Sequence, residues 1–277
     1  MHQDVTSTDG LDDLRAEVGS LIWFHSIDLG QGVASAGVKS ASLLQAEAER
    51  LGLPDDLSGQ TVLDIGAWDG FFSFEAERRG ASRVVALDHY AWSMDLRAQQ
   101  AYLAECLATD QRPLPFEQVP SVWDERRLPG RAPFELAKRR LGSRVEPVVG
   151  DFMTMDLSPL GSFDVVLFLG VLYHLEDPFR ALRRLRAVTR GRAFIETVCG
   201  VFPGMERHPI WHLFPSDELN GDPSNWWASN LEGLLGMCRA AGFGEARVIA
   251  APGADAAPAP GHDFHFGRCL VQVFASA

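Results

Sequence analysis

Apolar residues are distributed along this chain in two rhythms. Short continuous apolar runs recur at TVLDIG (61–66), RVVALD (83–88), RVEPVVGD (144–151), FDVVLFLG (163–170), RAFIETV (192–198), ARVIA (246–250) and RCLVQVFA (268–275). Between them the apolar residues are spaced three or four apart, as in LDDLRAEVGSLIW (11–23), SASLLQAEAERLGL (40–53), GFFSFEAERRG (70–80), SMDLRAQQAYLAECLA (93–108), 178–188 and NLEGLLGMCRAAGF (230–243). The first rhythm predicts buried strands and the second amphipathic helices. Their alternation predicts an α/β fold in which a mostly parallel, Rossmann-like sheet is covered on both faces.

Three stretches follow neither rhythm. WFHSIDLGQGVASAGVKS (23–40) mixes aromatic, polar and glycine residues, 109–143 is rich in Pro, Arg and Trp, and 199–229 is long and aromatic. Loops of this length inside an α/β domain carry function or an inserted cap. The expected organisation is an N-terminal helical cap or lid over 1–57 and a ligand-binding domain over 58–277, with insertions near 109–143 and 199–229.

Charge and cysteine usage narrow the function classes. The formal charge of -12 disfavours a polyanionic partner, so nucleic acid is not the expected substrate. Arg126, Arg127, Arg131, Lys138, Arg139 and Arg140 could form a basic face, which is read here as a solvated helix surface. Cys106, Cys199, Cys238 and Cys269 are widely separated, a spacing that predicts neither a zinc site nor a disulfide framework. His262 and His265 have metal-like spacing with no acidic cluster beside them, so no metal is expected. The polar N-terminus has no apolar core of a signal peptide, and no apolar run approaches the ~20 residues of a membrane span. The expectation is a cytoplasmic protein with no membrane partner.

The chemistry is concentrated in VLDIGAWDG (62–70). A strand ends at Asp64, and Gly66 and Gly70 frame a tight turn through Ala67 and Trp68 into a helix. Glycine is needed where backbone turns sharply or approaches a ligand. An acid before the turn suits a cationic amino group rather than a phosphate. Asp88, followed by His89, ends the next strand, where an acid commonly accepts from ribose hydroxyls. Asp151 ends the third strand and is followed by Phe152. An amine, a ribose and an aromatic base together describe S-adenosylmethionine, with S-adenosylhomocysteine as its product.

With these motifs in place, residues 58–275 resemble the class I S-adenosylmethionine-dependent methyltransferases. FDVVLFLGVLYHLEDPFRALRRL (163–185), FIETV (194–198), LFPSDEL (213–219) and NWW (225–227) are similar to the tRNA wobble-uridine carboxymethyltransferase family. The resemblance implies the class I sheet with an antiparallel last strand and a cofactor contact at Gly170. It also implies that Tyr173 and Arg268 stand where that family holds a carboxylated cofactor. Two departures are visible. Trp68 replaces the usual middle glycine of the cofactor turn, and a short N-terminal segment with Lys39 replaces a longer basic region.

Methyl transfer requires alignment of an acceptor and removal of its proton. His174, His25 and Glu196 are the candidate catalytic residues. Trp23, Phe24, Lys39, Tyr173, Trp211, Trp226 and Arg268 are the candidate acceptor contacts. The leading expectation is a methyltransferase acting on a small organic molecule, by O-methylation in secondary metabolism or on a sugar. The alternatives are a tRNA uridine-modifying enzyme that uses S-adenosylmethionine or carboxy-S-adenosylmethionine, and a non-catalytic protein that binds S-adenosylmethionine.

Overall fold

The computed structural model describes residues 8–253 and 264–276. Its elements run α1 (Thr8–Ser20), β1 (Trp23–His25), β2 (Gly37–Lys39), α2 (Ala41–Leu51), β3 (Thr61–Ile65), α3 (Phe71–Arg78), β4 (Arg83–Asp88), α4 (Tyr90–Ser93) and α5 (Leu96–Ala108). They continue with α6 (Ala132–Leu141), β5 (Glu146–Val149), β6 (Phe163–Leu169), α7 (Pro178–Val188), β7 (Thr189–Val201), β8 (Trp211–Leu213), β9 (Trp227–Ser229), α8 (Leu231–Ala240), β10 (Phe243–Ala250) and β11 (His265–Ala275).

The central sheet has the order β10-β11-β7-β6-β3-β4-β5. β3, β4, β5, β6 and β7 pair in parallel, and β11 is antiparallel to both β7 and β10. The predicted α/β class and antiparallel last strand are therefore present. The chain leaves β3 toward β4 on one side and returns to β6 on the other. The carboxyl ends of β3 and β6 thus form the switch point where open α/β sheets bind ligands.

Five of the seven apolar runs predicted as buried strands form the core; β5 and β10 stand at the two edges of the sheet, where Val149, Val248 and Ile249 are exposed. Val62, Leu63, Val85, Leu87, Val165, Val166, Phe168, Phe194 and Ile195 are all buried. Alternate residues of each strand enter two clusters on opposite faces, one holding Val62, Val165 and Phe194 and the other Leu63, Val166 and Ile195. Leu14, Val18, Trp23, Ile27 and Leu57 of the N-terminal region join the first of these, so the cap shares the main core.

The irregular stretches hold more structure than their periodicity predicts. β1 and β2 pair in parallel within 23–40. α6 fills the second half of 109–143, with Pro133 in its first turn and Gly142 as a left-handed C-cap. β7 runs on to Val201, past the predicted end at 198, because β9 of the insertion pairs with it on one side and the start of β11, at His265, on the other. No helix among the described residues is long and apolar enough to cross a membrane. His262 lies outside the described residues.

Candidate active site

Three turns converge at the switch point. The first follows β3. Gly66 has φ +77 and Gly70 φ +87, and a Cβ on Gly66 would lie 2.5 Å from Val171 Cγ2. Bare backbone here lets the turn after β3 pack directly against Val171 in the turn after β6, so only glycine fits this left-handed position. Asp64 is buried, with Ser73 Oγ donating to its Oδ2 at 2.6 Å. Burial pushes its carboxyl up to about 7, against the Ser73 hydrogen bond and with some help from Asp88.

Trp68 adopts φ +50, a conformation uncommon for a bulky residue. The backbone and the N-terminal segment hold it there. Trp68 N donates to Asp88 Oδ2 at 2.9 Å, and its ring stacks on Phe24 at 3.9 Å with 3° between planes. The indole Nε1 of Trp68 is buried and without a partner.

Asp69 is fully buried and ties this turn to β1. Its Oδ2 accepts from Phe24 N at 2.6 Å and His25 N at 2.7 Å, while Oδ1 has no partner. Burial raises its carboxyl to about 7, opposed by those two backbone bonds. The sequence reading passed over Asp69 as part of a glycine turn. The signal it missed is an acid enclosed between an aromatic and a glycine at the foot of a helix.

Asp88 ends β4 as predicted and also closes its own turn. Beyond Trp68 N, it accepts from Ala91 N at 3.0 Å and Trp92 N at 3.4 Å. His89 faces Trp123 edge-on at 5.3 Å, with Nε2 3.8 Å from Glu125. Asp151 spends its carboxylate locally, on Met153 N and Thr154 Oγ1. Phe152 packs on Phe168 in the core, so its ring is a support for the sheet rather than an open cofactor contact.

The third turn follows β6. Gly170 N donates to Glu196 O at 3.0 Å. Arg268 makes a two-pronged ion pair with Glu196, and its guanidinium lies 4.6 Å from the centre of the Tyr173 ring. Glu196 is thereby a partner of Arg268, a role different from that of a free base. His174 is half-buried, with Nδ1 3.0 Å from both the carbonyl and the hydroxyl of Ser224. Burial lowers the basicity of His174, and the nearby Asp222 partly restores it.

Several predicted contacts have other roles. Trp23 is buried and donates through Nε1 to Val18 O at 3.0 Å, which makes it a core residue. The His25 ring is 6% exposed, and burial, with Lys39 adding to it, lowers its pKa to about 3. A ring so enclosed and so weakly basic is a poor proton acceptor for a substrate. Lys39 pairs with Glu47 at 2.8 Å and sits over Phe24 at 5.7 Å. Trp211 packs with Trp227 at 6.4 Å against the α8 side of the core. Trp226 N donates to Tyr173 O at 2.9 Å, which brings the insertion onto the β6 turn. The residues that converge are therefore Gly66, Ala67, Trp68, Gly70 and Asp88 on one wall, and Gly170, Tyr173, His174, Glu196 and Arg268 on the other.

This arrangement suits S-adenosylmethionine: a glycine turn that a single Cβ would obstruct, an acid at the end of each of β3 and β4, and an unpartnered indole N–H beside them. The methyltransferase domain family profile matches residues 39–243. Among curated proteins, the tRNA U34 carboxymethyltransferase of Pseudomonas fluorescens (strain SBW25) is 25% identical over 197 residues, covering 70% of this chain and 48% of its own. The tRNA U34 carboxymethyltransferase of Marinobacter nauticus is 26% identical, covering 70% of this chain and 47% of its own. The chain thus spans about half the length of these relatives. Among solved structures, the N-terminal domain of EvdMO1 with S-adenosylhomocysteine bound superposes with a TM-score of 0.60 at 17% identity, over 99% of this chain and 100% of that one. The same domain in the presence of S-adenosylhomocysteine and D-fucose gives 0.59. That likeness includes the N-terminal region, which the family profile largely leaves out.

Proposed function

The chain belongs to the methyltransferase domain family, an S-adenosylmethionine-dependent methyltransferase by family and fold, and we propose that its acceptor is a hydroxyl group of a small polar molecule. When bound, S-adenosylmethionine supplies an electrophilic methyl group. Gly66, Trp68, Gly70 and Asp88 would hold it, with the aromatic pair Phe24–Trp68 excluding water from that end of the cleft.

The observation that carries the reading is His174. Its Nδ1 is held by Ser224, and Nε2 makes no hydrogen bond among the described residues. An imidazole anchored at one nitrogen and open at the other is arranged to take a proton from an acceptor hydroxyl. Tyr173, backed by Arg268, flanks it at 4.0 Å between rings and is suited to orient a polar acceptor.

Support for a small acceptor comes from charge and from the walls. Three of the five arginines of the candidate basic face are engaged by acids: Arg127 with Asp124, Arg131 with Glu135 and Arg139 with Glu17. That leaves few free cations for a phosphate backbone. The presence of D-fucose with the EvdMO1 domain is in line with a polyhydroxylated acceptor.

The experiment is to incubate the protein with S-adenosylmethionine carrying a deuterated methyl and a source-cell extract, then separate RNA from small molecules. Label in a small molecule, as a methyl ether, supports the proposal. Label in an RNA nucleoside overturns it in favour of the activity of the curated relatives. His174→Gln should abolish the transfer while leaving S-adenosylhomocysteine bound.

A further inference from the structure

The insertion that ends in β9 returns along the turn after β6 and is stitched to it by three successive links. His174 meets Ser224, Trp226 N donates to Tyr173 O at 2.9 Å, and Trp227 Nε1 donates to Glu176 O at 3.3 Å. At the first link the hydrogen positions can be assigned by elimination. Ser224 O is a carbonyl and can only accept, so the proton at this 3.0 Å contact belongs to His174 Nδ1. Ser224 Oγ lies 2.6 Å from Asp222 Oδ1 and spends its hydrogen there, so it too receives from Nδ1 at 3.0 Å. A neutral imidazole with its proton on Nδ1 has its lone pair on Nε2.

We infer that Asp222 and Ser224 are positioning residues for this reaction: they fix His174 in the tautomer whose Nε2 accepts a proton, and they place a negative charge one hydroxyl away from the imidazolium that results. The inference rests on His174 being the base. The proton leaves the acceptor oxygen, binds Nε2, and the ring becomes a cation with Nδ1–H still directed at Ser224.

The charges around the ring show why such a device is needed. Burial and Arg268, from β11, both disfavour a protonated His174, and Asp222 acts in the opposite sense. Tyr173 stands beside the ring at 4.0 Å. From α4, the buried Tyr90 hydroxyl faces the same pair: burial, Glu117 and Asp222 raise its pKa, and a side-chain contact with Ser224 lowers it. Tyr90 follows Asp88 by two residues, so the relay packs against the element that closes the cofactor side of the cleft.

The test is proton-detected imidazole nitrogen NMR on the full chain with S-adenosylhomocysteine. In the wild type at neutral pH the expected result is a neutral His174 protonated at Nδ1; a proton found on Nε2 overturns the inference without any variant. Asp222→Asn should lower the His174 titration midpoint by about one pH unit, the scale of losing an opposite charge at this range. The Ser224 carbonyl is main chain, so the proton should stay on Nδ1 in every variant. Ser224→Thr should retain the wild-type midpoint and Ser224→Ala should lower it. Calorimetric S-adenosylhomocysteine affinity reports that each variant keeps its cleft. An unchanged midpoint in both Asp222→Asn and Ser224→Ala would sink the relay. Methyl transfer surviving in His174→Gln would instead sink the base, and the two failures are read from different experiments.

Discussion

Asp69→Ala isolates what joins the N-terminal segment to the cofactor turn. The side chain accepts two backbone N–H groups, Phe24 N at 2.6 Å and His25 N at 2.7 Å, at a fully buried position. Leaving a buried donor unmade costs about 1–3 kcal/mol, so the pair sets a gross loss of roughly 2–6 kcal/mol. Part of this is recovered, because burial already holds the Asp69 carboxyl at about 7 and its charge is carried at a cost. A net loss of about 2–4 kcal/mol is expected, or roughly 4–16 °C in Tm for a domain of this size. The Phe24–Trp68 stack should loosen with it, so protease cleavage between residues 21 and 40 should accelerate and S-adenosylhomocysteine affinity should fall. Thermal denaturation, limited proteolysis with mass mapping, and calorimetry read the three effects. A Tm within 2 °C of wild type and unchanged cleavage would refute the claim that Asp69 pins the segment.

Three further outcomes follow from the site. Gly66→Ala puts a Cβ 2.5 Å from Val171 Cγ2 at φ +77, so S-adenosylhomocysteine affinity should drop at least ~10-fold by calorimetry, with the same loss expected for Gly66→Ser. Asp88→Ala should weaken S-adenosylmethionine by roughly 1–3 kcal/mol, and unchanged affinity would remove Asp88 from the cofactor site. Asp64 and Asp69 both have carboxyls raised to about 7 from 3.8, so the folded state binds protons that the unfolded state has released. Their contribution to the stability of the ligand-free protein is complete below about pH 4, declines as pH rises toward 7 and levels off above it, while burial of neutral His25 acts in the opposite sense below pH 6.5; Asp64→Asn should remove its share of the carboxyl decline in chemical denaturation at several pH values.

The fold was legible because its inner strands are buried on both faces. A continuous run such as VVLFL has no other economical use in a chain of this length, and β3, β4, β6, β7 and β11 fall where such runs predict. The strand-end acids were legible for the same reason, since a charge closing an apolar run marks the sheet's edge. What could not be read was which partner each polar group would find. Glu196 and Arg268 are 72 residues apart and meet only because β7 and β11 pair in register, with Glu196 opposite Leu270 and Arg268 opposite Val198. Trp23 and Phe24 are adjacent, yet one is core and the other stacks on Trp68, a division set by β1 and not by composition. The Asp222-Pro223-Ser224-Asn225 stretch does carry a turn signal, but nothing in it points to His174.

The departure at Trp68 ties these pieces together. Trp68 stands in the turn after β3 in a left-handed conformation that costs on the order of 1–3 kcal/mol to hold. The strain persists because neighbours over-determine it: Asp88 takes its N–H, Trp92 Nε1 donates to its carbonyl at 2.7 Å, and Phe24 stacks on its ring. Phe24 is in turn held by Asp69, the next residue along. The cofactor turn and the N-terminal segment are therefore one unit, each keeping the other in place. On the opposite wall, the 219–227 arm and the turn after β6 make a second unit through Ser224, Trp226 and Trp227. A common parallel sheet thus carries two additions of its own, one packed on the turn after β3 and the other on the turn after β6, which in the proposed function close the cofactor end of the cleft and orient the base.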